Sequence, residues 1–180
     1  YCKLFGVKNI EVDYSLARNN GTGGLLTGSR PEFNSSGRFS GALNINRPGG
    51  YIHVPDSNSL DITGDLTFSL WVRLGVLPSN LETLVSKRVA DTATVNYQFY
   101  LRDTDGAFCY YDGTTRCSNF IPPRGEWTHL AGIVDDAASQ VRMYGNGILR
   151  NTLTGGTAAA NSAPLYIGIF DGATDEPLNG

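Results

Sequence analysis

The dipeptide Asn146-Gly147 constrains this chain more than any other pair of neighbours. A two-residue hairpin loop needs positive φ at both central positions, which Asn and Gly adopt readily. Val141-Arg-Met-Tyr-Gly145 precedes the pair and Ile148-Leu-Arg150 follows it, both rich in β-type residues. Upstream, Gly125 to Asp136 reads as one further strand ending in a polar turn. The stretch from Gly125 to Arg150 therefore predicts three consecutive antiparallel strands, with Trp127 and Ile133 serving a core.

Period-two alternation recurs elsewhere. In Leu66 to Leu74, the residues Leu66, Phe68, Leu70, Val72 and Leu74 fall on one face, and Thr67, Ser69, Trp71 and Arg73 on the other. Burying the first set contributes on the order of 7–15 kcal/mol before entropy is subtracted, so that face belongs to a core. Strand-like segments also cover Val7 to Tyr14, Phe39 to Asn46, Tyr51 to Val54, Leu81 to Lys87, Asn96 to Arg102, Ala107 to Tyr111, Arg116 to Phe120 and Leu165 to Phe170. Asn19 to Gly28 reads as a glycine-rich turn, and no segment reads convincingly as a helix. Ten or more short strands without repeat or linker predict an all-β fold in one domain over residues 1–180: a two-sheet antiparallel β-sandwich or jelly roll.

Composition excludes some partners. Net charge is −3, and the 14 Lys and Arg are scattered with no run longer than Lys87-Arg88, which argues against nucleic acid. No apolar run approaches the roughly 18 residues of a membrane-spanning helix, so no membrane insertion is expected. The chain does not begin with Met and reads as a processed or excised piece of something larger.

Of the three cysteines, Cys109 and Cys117 flank a Tyr-Tyr-Asp-Gly-Thr-Thr-Arg segment. With the loop at Asp112 to Thr114 they sit opposite one another, which favours a cross-strand disulfide over two half-buried thiols and points to an oxidising compartment. Cys2 is left without an assigned partner.

Several motifs, taken in order, carry a family resemblance. They are Gly37-Arg-Phe-Ser-Gly-Ala-Leu43, Tyr51-Ile-His-Val-Pro-Asp-Ser57, Leu60-Asp-Ile-Thr-Gly-Asp-Leu-Thr-Phe-Ser-Leu-Trp-Val72, Leu84-Val-Ser-Lys87, Gly125-Glu-Trp-Thr-His-Leu-Ala131, Tyr144-Gly-Asn-Gly147 and Leu165-Tyr-Ile-Gly168. Together, over residues 37–180, they resemble the laminin-G-like, concanavalin A-like jelly-roll family. That family continues past a turn like Leu178-Asn-Gly180 into a last strand, which is absent here. Gly6 to Tyr14 resembles either the family's first strand, the reading preferred here, or that last one. In the second case it fills the last strand's place within the chain or in a neighbouring copy.

The resemblance also frames the chemistry. Hydrolases of this fold class carry Glu-x-Asp-x-x-Glu on one strand. Glu11-Val-Asp13 begins that pattern, but Leu16 stands in the third acid's place, and no Gly-x-Ser-x-Gly elbow is present. A non-enzymatic role follows. His129 and His53 read as structural, with His53 alternatively facing solvent. Sugar recognition uses aromatic faces beside polar groups. That points to Tyr110 and Tyr111 beside a hairpin loop, to Asp112 within it, and to Trp71 on the polar face of its strand. Calcium, which the family often binds at a sandwich rim, has candidate ligands in Asp171, Asp175 and Glu176. The expectation is an extracellular or surface-borne binding or adhesion module for glycan or a surface protein. The alternative is a structural subunit or decoration of a surface filament or virion, self-associating through strand or edge contacts.

Overall fold

Two antiparallel sheets and a separate hairpin make up the structure, a computed structural model that describes residues 10–25, 31–45, 50–75, 80–89, 95–156, 159–171 and 177–180. The larger sheet has eight strands in the order β1 (Ile10–Glu11), β2 (Gly21–Leu25), β5 (Gly50–Val54), β14 (Leu165–Ile167), β7 (Glu82–Arg88), β8 (Val95–Leu101), β9 (Phe108–Tyr111) and β10 (Thr115–Cys117). The smaller has four, in the order β13 (Ile148–Thr154), β12 (Gln140–Gly145), β11 (Trp127–Asp135) and β6 (Leu66–Arg73). β3 (Glu32–Gly37) and β4 (Ser40–Asn44) pair with one another. The fold is the expected jelly-roll sandwich; among the described residues the only helical element is a 3-10 turn over Asn58–Leu60.

The three-strand reading of residues 125–150 becomes β11, β12 and β13. Asn146 and Gly147 have φ of 53° and 76°, both in the left-handed region that a two-residue turn requires. Inner positions of the two sheets meet in the core. Leu66 and Val72 of β6, Leu130 and Val134 of β11, and Val141 and Met143 of β12 pack against Leu84, Phe99, Phe108 and Tyr110 of the larger sheet. Phe68 stacks on Phe99 with ring centroids 4.5 Å apart. Gly132 makes this possible, because a Cβ there would lie 2.2 Å from the Phe99 ring.

Some elements differ from the sequence reading. Gly21–Leu25, expected as a turn, is a strand held by β1 and β5, and β3 was not foreseen at all. Of the strand expected over Val7 to Tyr14, residues 7–9 lie outside the described residues, as do 1–6; within the rest Ile10–Glu11 is strand, paired within the chain with Thr22 and Gly21. Asp13 turns the chain instead, its carboxylate accepting from the Ser15 hydroxyl and from the backbone N–H of Ser15 and Asn19. The Ser15 hydroxyl, followed by those two amides, holds this carboxyl below the usual range.

β6 pairs with β11 on one side and β4 pairs with β3, and among the described residues no strand covers the other edge of either. A groove lined by both strands lies between those edges. Asn179 and Gly180 run into one end of it. Gly180 exchanges N–H···O bonds with Ile45, at 2.8 and 3.3 Å, and the Asn179 carbonyl accepts from Gly75 N–H at 2.6 Å. The buried Glu82 carboxylate, paired with Arg124, accepts from Asn179 N–H at 3.2 Å and fixes that end.

Candidate functional site

Strand alternation sends Thr67, Ser69, Trp71 and Arg73 of β6 to the outside of the four-stranded sheet. Register then decides their company: Trp71 lies opposite His129, Arg73 opposite Trp127, and Ser69 opposite Ala131. On β11 the buried positions are Thr128, Leu130, Gly132 and Val134, so Trp127 and Ile133 face outward and are half-buried. This corrects the expectation that those two serve the core. One face of β11 has to meet Phe99 at close range, and only the face carrying Gly132 leaves room.

Trp71 is 37% exposed and sits at the centre of a polar-aromatic cluster. The His129 ring lies 5.3 Å from it, and His129 Nε2 is hydrogen-bonded to Ser69 Oγ at 2.8 Å. The turn between β3 and β4 adds Arg38, whose guanidinium is 4.9 Å from the Trp71 ring centre, and Phe39, edge-on to Trp71 at 5.6 Å. Asn146, in the tight turn, accepts through Oδ1 from His129 N–H at 2.9 Å. Arg38, Trp71, Trp127, His129, Asn146 and Gly147 line a cavity of about 540 Å³ that opens widely to solvent.

Of the four residues expected to meet a ligand, only Trp71 belongs to this cluster. Tyr110 is fully buried in the main core, its ring 5.0 Å from Phe99. Burial, and secondarily Asp112, pushes its phenol above the usual tyrosine range. The reading of Tyr110 as a ligand contact is therefore wrong: β9 lies inside the sheet between β8 and β10, and its inner face closes the sandwich. Tyr111 is half-buried with Arg88 stacked 5.0 Å from its ring. Asp112, 3% exposed at its side chain, is ion-paired with Arg116 and accepts from Thr114 N–H, so its carboxylate is committed to shaping the hairpin. Within that hairpin Cys109 and Cys117 are cross-strand partners joined by a disulfide.

For calcium, Asp171 is half-buried, while Asp175 and Glu176 lie outside the described residues. Among the described residues no group of three or more His, Cys, Asp or Glu is placed to hold a metal ion. His129, Arg38, Phe39 and Asn146 escaped the sequence reading as site residues. His129 had a usable signal, since it alternates with Trp127. Arg38 had none, because the β3–β4 turn is brought to β6 by tertiary packing.

Residues 46–180 match the concanavalin A-like lectin/glucanases superfamily, in its laminin-G form. The chain belongs to that family. No curated protein sequence matches it. Among solved structures, domain 4 of AbnA, a GH43 extracellular arabinanase from Geobacillus stearothermophilus, in complex with arabinotriose, is similar at 22% identity. The TM-score is 0.67, with 89% of this chain and 77% of that one covered. The CBM40 of the Ruminococcus gnavus IT-sialidase, bound to α2,3 sialyllactose, is 13% identical with a TM-score of 0.56, covering 87% and 88%. The binding domain of botulinum neurotoxin serotype D is 15% identical with a TM-score of 0.67, covering 94% of this chain but 43% of that one. At these identities the likeness is one of fold. Among the described residues no helix is long and apolar enough to cross a membrane.

Proposed function

We propose that this lectin-type jelly roll is a non-catalytic, extracellular carbohydrate-binding module whose ligand lies on the outer face of the four-stranded sheet at Trp71. The observation that carries the reading is an exposed indole with Arg38, His129 and Asn146 around it. An aromatic plane takes the C–H side of a sugar ring and nearby polar groups take its hydroxyls. The arabinotriose and sialyllactose complexes of fold relatives support a glycan as the ligand class. Calorimetric titration of an oligosaccharide panel tests it. Trp71→Ala is expected to weaken binding about tenfold or more while circular dichroism and melting temperature stay close to those of the parent. Binding unaffected by Trp71→Ala would place the ligand elsewhere.

A second reading, structural assembly on a filament or virion surface, is favoured by the groove between β4 and β6. Among the described residues no strand pairs with either edge facing this groove, an arrangement that favours pairing with an added strand. Gly180 and Asn179 already bond to both sides there, antiparallel to β4. The occupant in this reading is an extended segment of a second copy of the chain. Light scattering across a concentration series tests it: dimers or larger species support strand exchange, and a monomer at every concentration rules it out.

A further inference from the structure

The cavity at Trp71 has an unusual balance of hydrogen-bonding groups. Its only side-chain oxygen is Asn146 Oδ1, which already accepts from His129 N–H. The donors are more numerous. Among the described residues, neither the Trp71 nor the Trp127 indole N–H, nor Asn146 Nδ2, donates to a protein acceptor, and no carboxylate pairs with Arg38. The exposed Arg38 guanidinium lies over the Trp71 and Phe39 rings. Arg73 does not line the cavity, but it lies beside Trp127 on the same face, where its Nε donates to the Gly125 carbonyl and its guanidinium is a second positive charge nearby. Glu126, the neighbouring acid in sequence, does not line the cavity.

A neutral sugar offers hydroxyls that both donate and accept, and sites for such sugars supply acceptors as well as donors. A donor-rich, cation-bearing site satisfies instead a ligand that mainly accepts. A carboxylate accepts only, and its two oxygens match the planar fork of a guanidinium. Arg38 is held in position by stacking on Trp71 and Phe39, leaving its N–H groups free for such an oxygen pair. We infer that the ligand is an acidic saccharide, with its sugar ring against the aromatic cluster and its carboxylate on the Arg38 guanidinium. This inference rests on the carbohydrate-binding reading above and narrows it to one ligand class.

The test compares three probes on the intact chain: galacturonic acid trisaccharide, its methyl ester, and galactotriose, with sialyllactose against lactose as a parallel pair. The acid forms are expected to bind at least about tenfold more tightly than the ester or neutral forms. Added salt is expected to weaken acid binding, because the pair lies at an exposed surface. Arg38→Gln is expected to abolish the preference for the acid while sparing the fold, since Arg38 is exposed in a turn. Equal, Trp71-dependent binding of acid and neutral sugars would overturn the acidic-ligand inference and leave the carbohydrate reading standing. Acid binding that survives both Arg38→Gln and Trp71→Ala would overturn the inference by locating the anion site elsewhere. Absence of binding to every probe and to the wider panel, with the fold intact, would overturn both.

Discussion

Gly132 shows how much one missing methyl group decides. Its Cα faces the Phe99 ring, with which Phe68 stacks from β6. Gly132→Ala forces that ring aside from its stack on Phe68, and is expected to cost about 1–3 kcal/mol in urea denaturation. The same glycine turns Trp127 and His129 outward, so one residue both closes the core and presents the candidate site. At the hairpin of β9 and β10, the disulfide of Cys109 and Cys117 restrains the unfolded chain. Replacing both cysteines by alanine is expected to lower unfolding free energy by about 2–3 kcal/mol, read as a lower denaturant midpoint. The pairing of these cysteines was legible because a three-residue loop fixes which residues face one another. The difference between Tyr110 and Tyr111 was not. They point to opposite sides of one strand, and nothing local says which side the second sheet covers.

At the scale of elements, Lys87 ties β7 to two loops. Its ammonium is fully buried and meets Asp56 at 2.7 Å, Asp61 at 3.0 Å, and the carbonyls of Ala163 and Asn161 at 2.8 and 3.0 Å. These oxygens come from the β5–β6 connection and from the segment before β14. Lys87→Met leaves two carboxylates and two carbonyls without their cation, and is expected to destabilise by about 3 kcal/mol, with faster hydrogen exchange in both loops. A stability equal to the parent would mean that those loops are held by other contacts. Elements differed in how readily they were read. β6 carries a clean period-two signal. β2 and β3 (Gly-Thr-Gly-Gly-Leu and Glu-Phe-Asn-Ser-Ser-Gly) do not, because pairing with neighbours makes them strands against weak intrinsic preference.

The whole molecule is a sandwich whose larger sheet is buried on both faces along β8, where every residue from Val95 to Leu101 is buried. Two phenols report on whether that interior stays closed. Burial first, then Asp61 for Tyr97 and Asp112 for Tyr110, pushes both above the ordinary tyrosine range. A raised pKa means the folded state keeps its proton. The associated stability is therefore complete below pH of about 10 and is lost as pH rises beyond it. An alkaline absorbance titration should show a late, cooperative tyrosinate step coinciding with loss of the circular dichroism signal. Smooth ionisation of all nine tyrosines in the folded protein would contradict this account.

Sequence by itself determined the class of fold, because period-two alternation and the Asn146-Gly147 turn are local properties that act within a few residues. It also placed Trp71 on the outward face of β6, once Leu66, Leu70 and Val72 had claimed the other. Tertiary structure decided the rest. The register of β11 against β6 set His129 beside Trp71, and packing of the β3–β4 hairpin brought Arg38 over the indole from 33 positions away in the chain. The second sheet withdrew Tyr110 from solvent, and Arg116 took up the carboxylate of Asp112. Contacts of that kind depend on which surfaces meet when the two sheets close, and no pattern within a single strand encodes them.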